Sequence, residues 1–184
     1  MQALIDIVKQ GKALYVGISK YPPEQAEQAM KILSDQHVPC LIFQDKYSML
    51  NRNPEEAIFD VVKKNGAGFI GFSPLAQGVL SDKYLNGIPV ESRAANPQGF
   101  LKEEQITQEI VSVVRQLNEF AKERNQTLTQ MALAWALRKE AVTSLIVGTR
   151  SIKQLEDNLK AIDNLNFSEN ELKRIDSVLN GSVL

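Results

Sequence analysis

The residues best suited to bind a charged ligand stand where a strand meets a helix near the C-terminus. The run TSLIVG (143–148) predicts a strand, and Thr149-Arg150-Ser151 leads directly into a helical pattern. A helix N-terminus offers unpaired N–H groups and a partial positive charge, and the guanidinium of Arg150 matches the oxygens of a phosphate. These groups favour an anion, above all a phosphate. The alternative is a routine cap, in which Ser151 and Gln154 form a capping box beside a solvated arginine, and on spacing alone this is the commoner arrangement.

A second candidate site is the stretch GFSPLAQGVL (71–80), which follows another predicted strand. An aromatic residue, Phe72, is followed by Ser-Pro and a turn of small residues. This order could stack a flat ring on the phenyl group and wrap a pyrophosphate in the turn. The alternative is an ordinary core phenylalanine followed by a proline turn.

Metal and cysteine chemistry find little support in the sequence. The single cysteine, Cys40, lies in the apolar run VPCLIF and is expected to be a buried thiol. The single histidine, His37, lies in the loop SDQHVPC, which leads into a strand from the end opposite the candidate sites. One histidine and one cysteine cannot supply a zinc site.

Composition restricts the possible partners. The 184 residues suit one domain, and 21 basic against 22 acidic residues give a net charge of −1, which provides no field for nucleic acid or an anionic membrane. No stretch approaches the roughly 18 apolar residues of a membrane span. The N-terminal MQALIDIVKQGK is amphipathic and lacks the pattern of a signal peptide. A reducing cytoplasm is the expected location.

The elements that must position these residues alternate between strands and helices. Four strands are predicted, at 13–19, 39–44, 68–73 and 143–148. Six helical patterns accompany them: 22–35, 53–66, one through Ile106, Ile110, Val114 and Leu117, 127–137, 152–162 and 168–179. In the second pattern Asn53 is predicted to cap the helix, with Pro54 in its first turn and Glu56 completing a capping box. The segment 76–103 is rich in glycine and proline and is predicted to be irregular, as functional or mobile loops often are.

The 152–162 helix shows the clearest apolar stripe. Ile152, Leu155, Leu159 and Ile162 recur at the spacing of one helical face, which predicts that they are buried together.

The nearly continuous apolar character of the strands indicates a parallel sheet covered on both faces. Four βα units fit two architectures, namely half of an eight-stranded barrel or a doubly wound open sheet. No G-x-G-x-x-G follows the first strand, which weakens the dinucleotide-binding form of the open sheet.

Six motifs together resemble the C-terminal half of an aldo-keto reductase. They occur in the order GKALYVGIS, Q..YSMLNR, GFIGFSPLAQGVLSDKY, MALAWAL, TSLIVGTRSIKQLEDNL and LNFSENELKRID, and they extend over nearly the whole chain. Each motif is weak alone, but six in register are specific. The resemblance implies four parallel strands with surrounding helices, the C-terminal half of a (β/α)8 TIM barrel. Residues 1–184 would then be a single partial domain, with 76–103 as a cofactor and substrate loop.

The resemblance also implies an NADPH site. It assigns the nicotinamide carboxamide to Ser19 and Gln44, and the nicotinamide ring to Phe72. The pyrophosphate is assigned to Ser73, Leu75, Gln77 and Gly78. The adenosine 2′-phosphate is assigned to Gly148, Thr149, Arg150 and Gln154, and the adenine end to Asp157 and Asn158. An arginine without a ribose-binding carboxylate nearby favours NADPH over NADH. Lys20 departs from the Ser-Asn pair that is frequent in the family.

The catalytic residues of the family are expected elsewhere. Its Asp, Tyr, Lys and His tetrad lies on the first four βα units, which the resemblance places before residue 1. The family's Asp and Tyr are five positions apart, and no tyrosine here has an aspartate five residues before it: Tyr15, Tyr21, Tyr47, Tyr84. The isolated chain is therefore expected to be inactive.

Three hypotheses follow from the sequence. The first is the NADPH-binding half of an aldo-keto reductase, from a split or truncated gene, which would reduce aldehydes or ketones to alcohols when complete. The second is a non-catalytic nucleotide-binding or interaction module. The third is an unrelated parallel α/β protein with a phosphate site. The expected partners are NADP(H) and either a second copy of the chain or an N-terminal half-barrel.

Overall fold

A computed structural model describes residues 1–180 and contains one parallel sheet of four strands. The strands are β1 (Val16–Ser19), β2 (Cys40–Lys46), β3 (Gly68–Phe72) and β4 (Val142–Ile146). They lie in the order β1-β2-β3-β4, and all three pairings are parallel. A doubly wound sheet reverses its strand order at a switch point, whereas a barrel adds each strand beside the previous one. The sequential order confirms the barrel-type arrangement, and the doubly wound alternative is wrong.

Seven helices accompany the sheet in the described residues. They are α1 (Gln2–Lys9), α2 (Pro23–Asp35), α3 (Ile58–Lys64), α4 (Gln108–Glu123), α5 (Leu128–Leu137), α6 (Ile152–Leu159) and α7 (Glu169–Asn180). The helices after β3 begin at polar caps: a capping box joins Thr127 and Gln130 at α5, and Ser168 and Glu171 bond reciprocally before α7. Among residues 1–180, no helix combines the length and the apolar character that a bilayer crossing requires.

The two faces of the sheet differ in burial. One row across the strands, Ile18, Phe43, Phe69 and Val142, is buried in the hydrophobic core with the helices. The next row, Ser19, Gln44, Ile70 and Ser144, points to the opposite side and is half-buried or exposed. We call this second side the inner face, because in a closed barrel it is the side that faces the axis.

The helix predicted at 53–66 begins later than expected. Asn53–Glu55 forms a 3₁₀ turn, α3 starts at Ile58 after Ala57, and no side chain caps it. The predicted capping box of Asn53 and Glu56 is therefore wrong. The neighbouring Glu55 is engaged in tertiary contacts, which fix the turn in place of a helical start.

The predicted burial of the 152–162 stripe is also wrong. Ile152, Leu155, Leu159 and Ile162 do share one side of the chain after β4, but they are 41–78% exposed. The reason is that β4 is an edge strand, and α6 packs against α5 and the turn that follows it. The other edge of the sheet, β1, is preceded by the exposed Leu14 and Tyr15. Both edges of the sheet therefore carry uncovered apolar side chains.

A cluster of aromatic and charged side chains ties the end of β2 to α5. The Tyr47 hydroxyl donates to Glu55 Oε1 at 2.6 Å, and Arg52 Nη2 donates to Glu55 Oε2 at 2.9 Å. Arg138 donates to the Tyr47 oxygen at 3.1 Å, and its guanidinium lies 3.6 Å from the ring centroid of Trp135. Burial alone would raise the pKa of Glu55, but the hydrogen bonds from Arg52 and Tyr47 outweigh it, so the pKa lies below its ordinary value.

We expect Glu55→Gln to lower the free energy of unfolding at neutral pH by about 1.5–3 kcal/mol, because charge-assisted hydrogen bonds are lost from a partly buried site. A carboxylate with a lowered pKa stabilises the fold above its ordinary pKa of 4.5, and this contribution is lost as the pH falls through the folded-state value. Urea unfolding at a series of acidic pH values should therefore show a shallower loss of stability for the variant. Glu140→Gln removes an exposed carboxylate and is the control. Equal pH dependence of wild type and Glu55→Gln would contradict the account.

Candidate functional site

Because the strands are parallel, their carboxyl ends all lie at the same end of the sheet. Three predicted site residues lie there on the inner face. Ser19 and Gln44 are in register on β1 and β2, and Phe72 ends β3. The backbone N–H of Lys20, the residue after Ser19, donates to the Gln44 carbonyl at 3.1 Å and so holds the end of β1 against β2. The side chains of these residues face the same side of the sheet from three neighbouring strands.

The segment after β3 concentrates backbone strain. Ser73 (φ 53°), Ala76 (φ 47°) and Gln77 (φ 61°) are left-handed although none is glycine, and Gly78 follows at φ 101°. Non-glycine residues adopt this region only where the surroundings compensate, and such residues cluster at ligand sites. The Ser81 hydroxyl donates to the Gly78 carbonyl at 2.6 Å and helps to hold the turn. The segment predicted to wrap a pyrophosphate is thus a tightly specified turn.

A cavity of about 300 Å³ lies between this turn and the end of β4. Eight of the thirteen predicted site residues line it: Phe72, Ser73, Leu75, Gln77, Gly78, Gly148, Arg150 and Gln154. No aspartate or glutamate is among its lining residues. The two stretches singled out in the sequence therefore form the two walls of one cavity.

Both interpretations of the β4–α6 junction have structural support. The Gln154 backbone N–H donates to Ser151 Oγ at 3.2 Å, which is one half of the predicted capping box. The other half is displaced by one residue, because Gln154 Oε1 accepts from the Arg150 backbone N–H at 2.9 Å and not from that of Ser151. Arg150 itself lines the cavity. The Ser151 cap leaves Arg150 at the cavity, so capping and anion binding are compatible.

Asp157 and Asn158 line an adjoining cavity of about 720 Å³, which shares Leu75, Gly78, Lys83 and Gln154 with the first. Asn158 is only 5% exposed, and its Nδ2 has no hydrogen-bond partner within residues 1–180. A buried amide donor without a partner is costly unless a ligand or water accepts from it. The Asp157 carboxylate accepts a hydrogen bond from Lys160 at 2.9 Å, which lowers its pKa.

Five predicted residues lie outside the first cavity, and three of them, Ser19, Gln44 and Thr149, line neither cavity. Ser19 and Gln44 are on β1 and β2, farther across the inner face, and Thr149 separates Gly148 from Arg150 without lining either cavity.

Two cations of the cavity were missed by the sequence interpretation. Lys83 and Arg93 both come from the irregular segment 76–103 and line the cavity with Arg150. In the described part of the chain, none of these three cations forms an ion pair. Their only signal in the sequence is basic character within a segment rich in glycine and proline. The cavity is therefore a strong candidate for binding an anion.

The cavity between α4 and α7 and the surroundings of the single cysteine lack this character. A cavity of about 420 Å³ lies between α4 and α7, but its charges are paired, Arg124 with Glu171 and Arg174 with Glu123. Cys40 is buried, and burial raises the pKa of its thiol. No group of three potential metal ligands occurs among residues 1–180.

The chain belongs to the aldo/keto reductase family, whose model matches residues 1–180. The resemblance stated from the six motifs is thereby confirmed. The four parallel strands and their helices correspond to part of the barrel of that family.

Two relatives and one solved structure show how much of the family protein this chain represents. It is 45% identical over 178 residues to L-glyceraldehyde 3-phosphate reductase of Escherichia coli O157:H7, and 44% identical to the protein of that name from strain K12. Each match covers 95% of this chain and 51% of the relative. A thermostable aldo-keto reductase crystallised with the inhibitor epalrestat superposes with a TM-score of 0.69 at 28% identity, over 96% of this chain and 53% of that one. The chain thus spans about half the length of the relatives it matches.

Gly148 provides a test that separates a ligand role from a folding role. A Cβ added at Gly148 would meet no atom within 4 Å, whereas one added at Gly17 would lie 3.0 Å from the Ile42 carbonyl oxygen. We expect Gly148→Ala to change the free energy of unfolding by less than about 0.5 kcal/mol, and Gly17→Ala to lower it by about 1–3 kcal/mol through overpacking. Chemical denaturation measures both. A comparable loss in Gly148→Ala would mean that the fold itself needs this glycine.

Proposed function

We propose that the chain binds NADPH and supplies the cofactor-binding half of an aldo-keto reductase that reduces an aldehyde or ketone. The observation that carries the proposal is the cavity between residues 73–78 and Gly148–Arg150, which has three unpaired cations and no acidic lining residue. A nucleotide with a pyrophosphate and a further phosphate matches this charge and extended shape. The membership of the chain in the aldo/keto reductase family supports the same ligand class.

The proposed cofactor extends from the inner face of the sheet to α6. The nicotinamide ring would stack on Phe72, with its carboxamide at Ser19 and Gln44. The pyrophosphate would lie along the strained turn that contains Ser73, Leu75, Gln77 and Gly78. The 2′-phosphate would lie at Gly148-Thr149-Arg150 and Gln154, and the adenine between Asp157 and the buried amide of Asn158. The missed cations Lys83 and Arg93 add positive charge to the phosphate region.

The preference for NADPH over NADH rests on Arg150. Only NADPH carries a phosphate on the adenosine ribose, and a ribose hydroxyl is usually recognised by a carboxylate instead. The first cavity offers an unpaired guanidinium and no carboxylate. The site therefore has the charge that suits the additional phosphate.

The proton donor for the reaction is proposed to come from the part of the family protein that this chain does not cover. When bound, the cofactor supplies a hydride to the carbonyl carbon of the substrate, and the carbonyl oxygen must then receive a proton. Tyr47 is poorly suited to donate it, because the side chain is buried, its hydroxyl is bonded to Glu55, and burial raises its pKa. The residues described here are proposed to bind and orient the cofactor.

Assembly is part of the proposal, because both sheet edges are uncovered. Open hydrogen-bonding edges and exposed apolar side chains favour association. An N-terminal half-barrel would pair with β1 and β4 and cover the stripe from Ile152 to Ile162. A second copy of this chain could cover the same surfaces less completely, since both copies would present the same strand ends.

A non-catalytic nucleotide-binding module is the second candidate. It requires only the cavity and its unpaired cations, which both candidates share. Enzymatic turnover separates the two candidates.

We expect Arg150→Ala to weaken the binding of NADPH by about 1.5–3 kcal/mol while leaving NADH nearly unchanged, because one charge-assisted phosphate contact is lost. Calorimetric titration of both cofactors measures the difference. Lys31→Ala removes an exposed charge on α2 and serves as the control. Equal weakening of NADPH and NADH in Arg150→Ala would refute the assignment of Arg150.

We expect the chain alone to reduce neither glyceraldehyde nor methylglyoxal above background, and to support NADPH oxidation once an N-terminal half-barrel is supplied.

Leu159→Glu should weaken both the complex with the N-terminal half-barrel and its turnover, because a charge would enter the apolar surface beside β4. Gln116→Glu adds the same charge on α4, away from both edges. Size-exclusion chromatography and NADPH absorbance provide the readouts. Turnover by the chain alone that disappears when one of its own tyrosines is changed would contradict this account.

A further inference from the structure

Lys20 has an unusual position at the end of β1. Its backbone is left-handed (φ 59°), although the residue is not glycine, and its amide donates to the Gln44 carbonyl. Its ammonium lies 5.9 Å from the centroid of the Phe72 ring. A strained backbone at a strand end thus directs a cation toward the proposed nicotinamide platform.

The charge of Lys20 is not neutralised by a neighbour. Within residues 1–180, no carboxylate forms an ion pair with it. The side chain is exposed at the inner face, beside Ser19. Any ligand that stacks on Phe72 would therefore experience a nearby positive charge.

We propose that Lys20 makes the site discriminate between the two redox states of the cofactor, by disfavouring NADP⁺ relative to NADPH. This inference rests on the proposed function, specifically on the nicotinamide ring stacking on Phe72. The oxidised ring carries a positive charge and the reduced ring carries none. A cation beside the ring therefore repels only the oxidised form, whereas the attraction of the phosphates to the site is common to both.

The expected size of the effect follows from Coulomb's law. Two unit charges about 7 Å apart in a partly solvated site repel each other enough to change a dissociation constant roughly three- to tenfold. Salt reduces the effect, because the side chain is exposed. After hydride transfer, the oxidised cofactor would leave this site more readily than it would leave a neutral one.

The test is an equilibrium titration of the chain with NADPH, and of NADP⁺ by displacement, in wild type, Lys20→Gln and Lys20→Arg. We expect Lys20→Gln to tighten NADP⁺ three- to tenfold while changing NADPH less than about twofold. Lys20→Arg retains the charge and should keep the wild-type ratio. Lys12→Gln removes an exposed lysine at the opposite end of β1 and should change neither affinity.

Each other outcome overturns the inference in a recognisable way. Equal weakening of both redox forms in Lys20→Gln would assign Lys20 to the phosphates. Unchanged affinities for both forms would show that its charge does not reach the ring. If wild type binds neither cofactor, the proposed function fails together with this inference, whereas normal binding with an unchanged ratio overturns this inference alone.

Discussion

The parallel direction of the four strands is the constraint on which the site depends. Because every strand points the same way, the last residues of β1, β2, β3 and β4 lie together at the carboxyl end of the sheet. The Lys20 amide bonded to Gln44 and the Tyr47 amide bonded to the Phe72 carbonyl hold neighbouring strand ends together. On the other face, Phe43 and Phe69 are paired in register and buried in the core with the helices. The common orientation is what allows the turn after β3 and the start of α6 to line one cavity.

The same architecture leaves surfaces that the described residues do not cover. The inner face carries polar side chains near the strand ends, whereas the apolar stripe beside β4 and the residues before β1 are exposed. Exposed apolar area on this scale is typical of a surface that another protein element covers. The cavity proposed for the cofactor and the uncovered apolar edges are thus separate surfaces of the chain.

The sequence predicted the elements and the two walls of the cavity well, because both depend on local patterns. Apolar runs indicated the strands. The residues that follow each strand of a parallel sheet must lie at the carboxyl end of that sheet. Tertiary contacts explain what was missed. Glu55 is held by Tyr47 and Arg52, so the helix start predicted at Asn53 is absent. Lys83 and Arg93 line the cavity but belong to an irregular segment. Such a segment has no periodic pattern in its sequence from which its position in the fold could be predicted.

The proposed NADPH would lie between the turn after β3 and the start of α6. Hydrogen–deuterium exchange with and without NADPH tests this placement most directly, because it reports on backbone amides in both segments at once. We expect slower exchange at residues 73–78 and at residues 148–158 when NADPH is added, with little change in α4 and α7. Unchanged exchange in both segments at saturating NADPH, or protection confined to the outer helices, would contradict this placement.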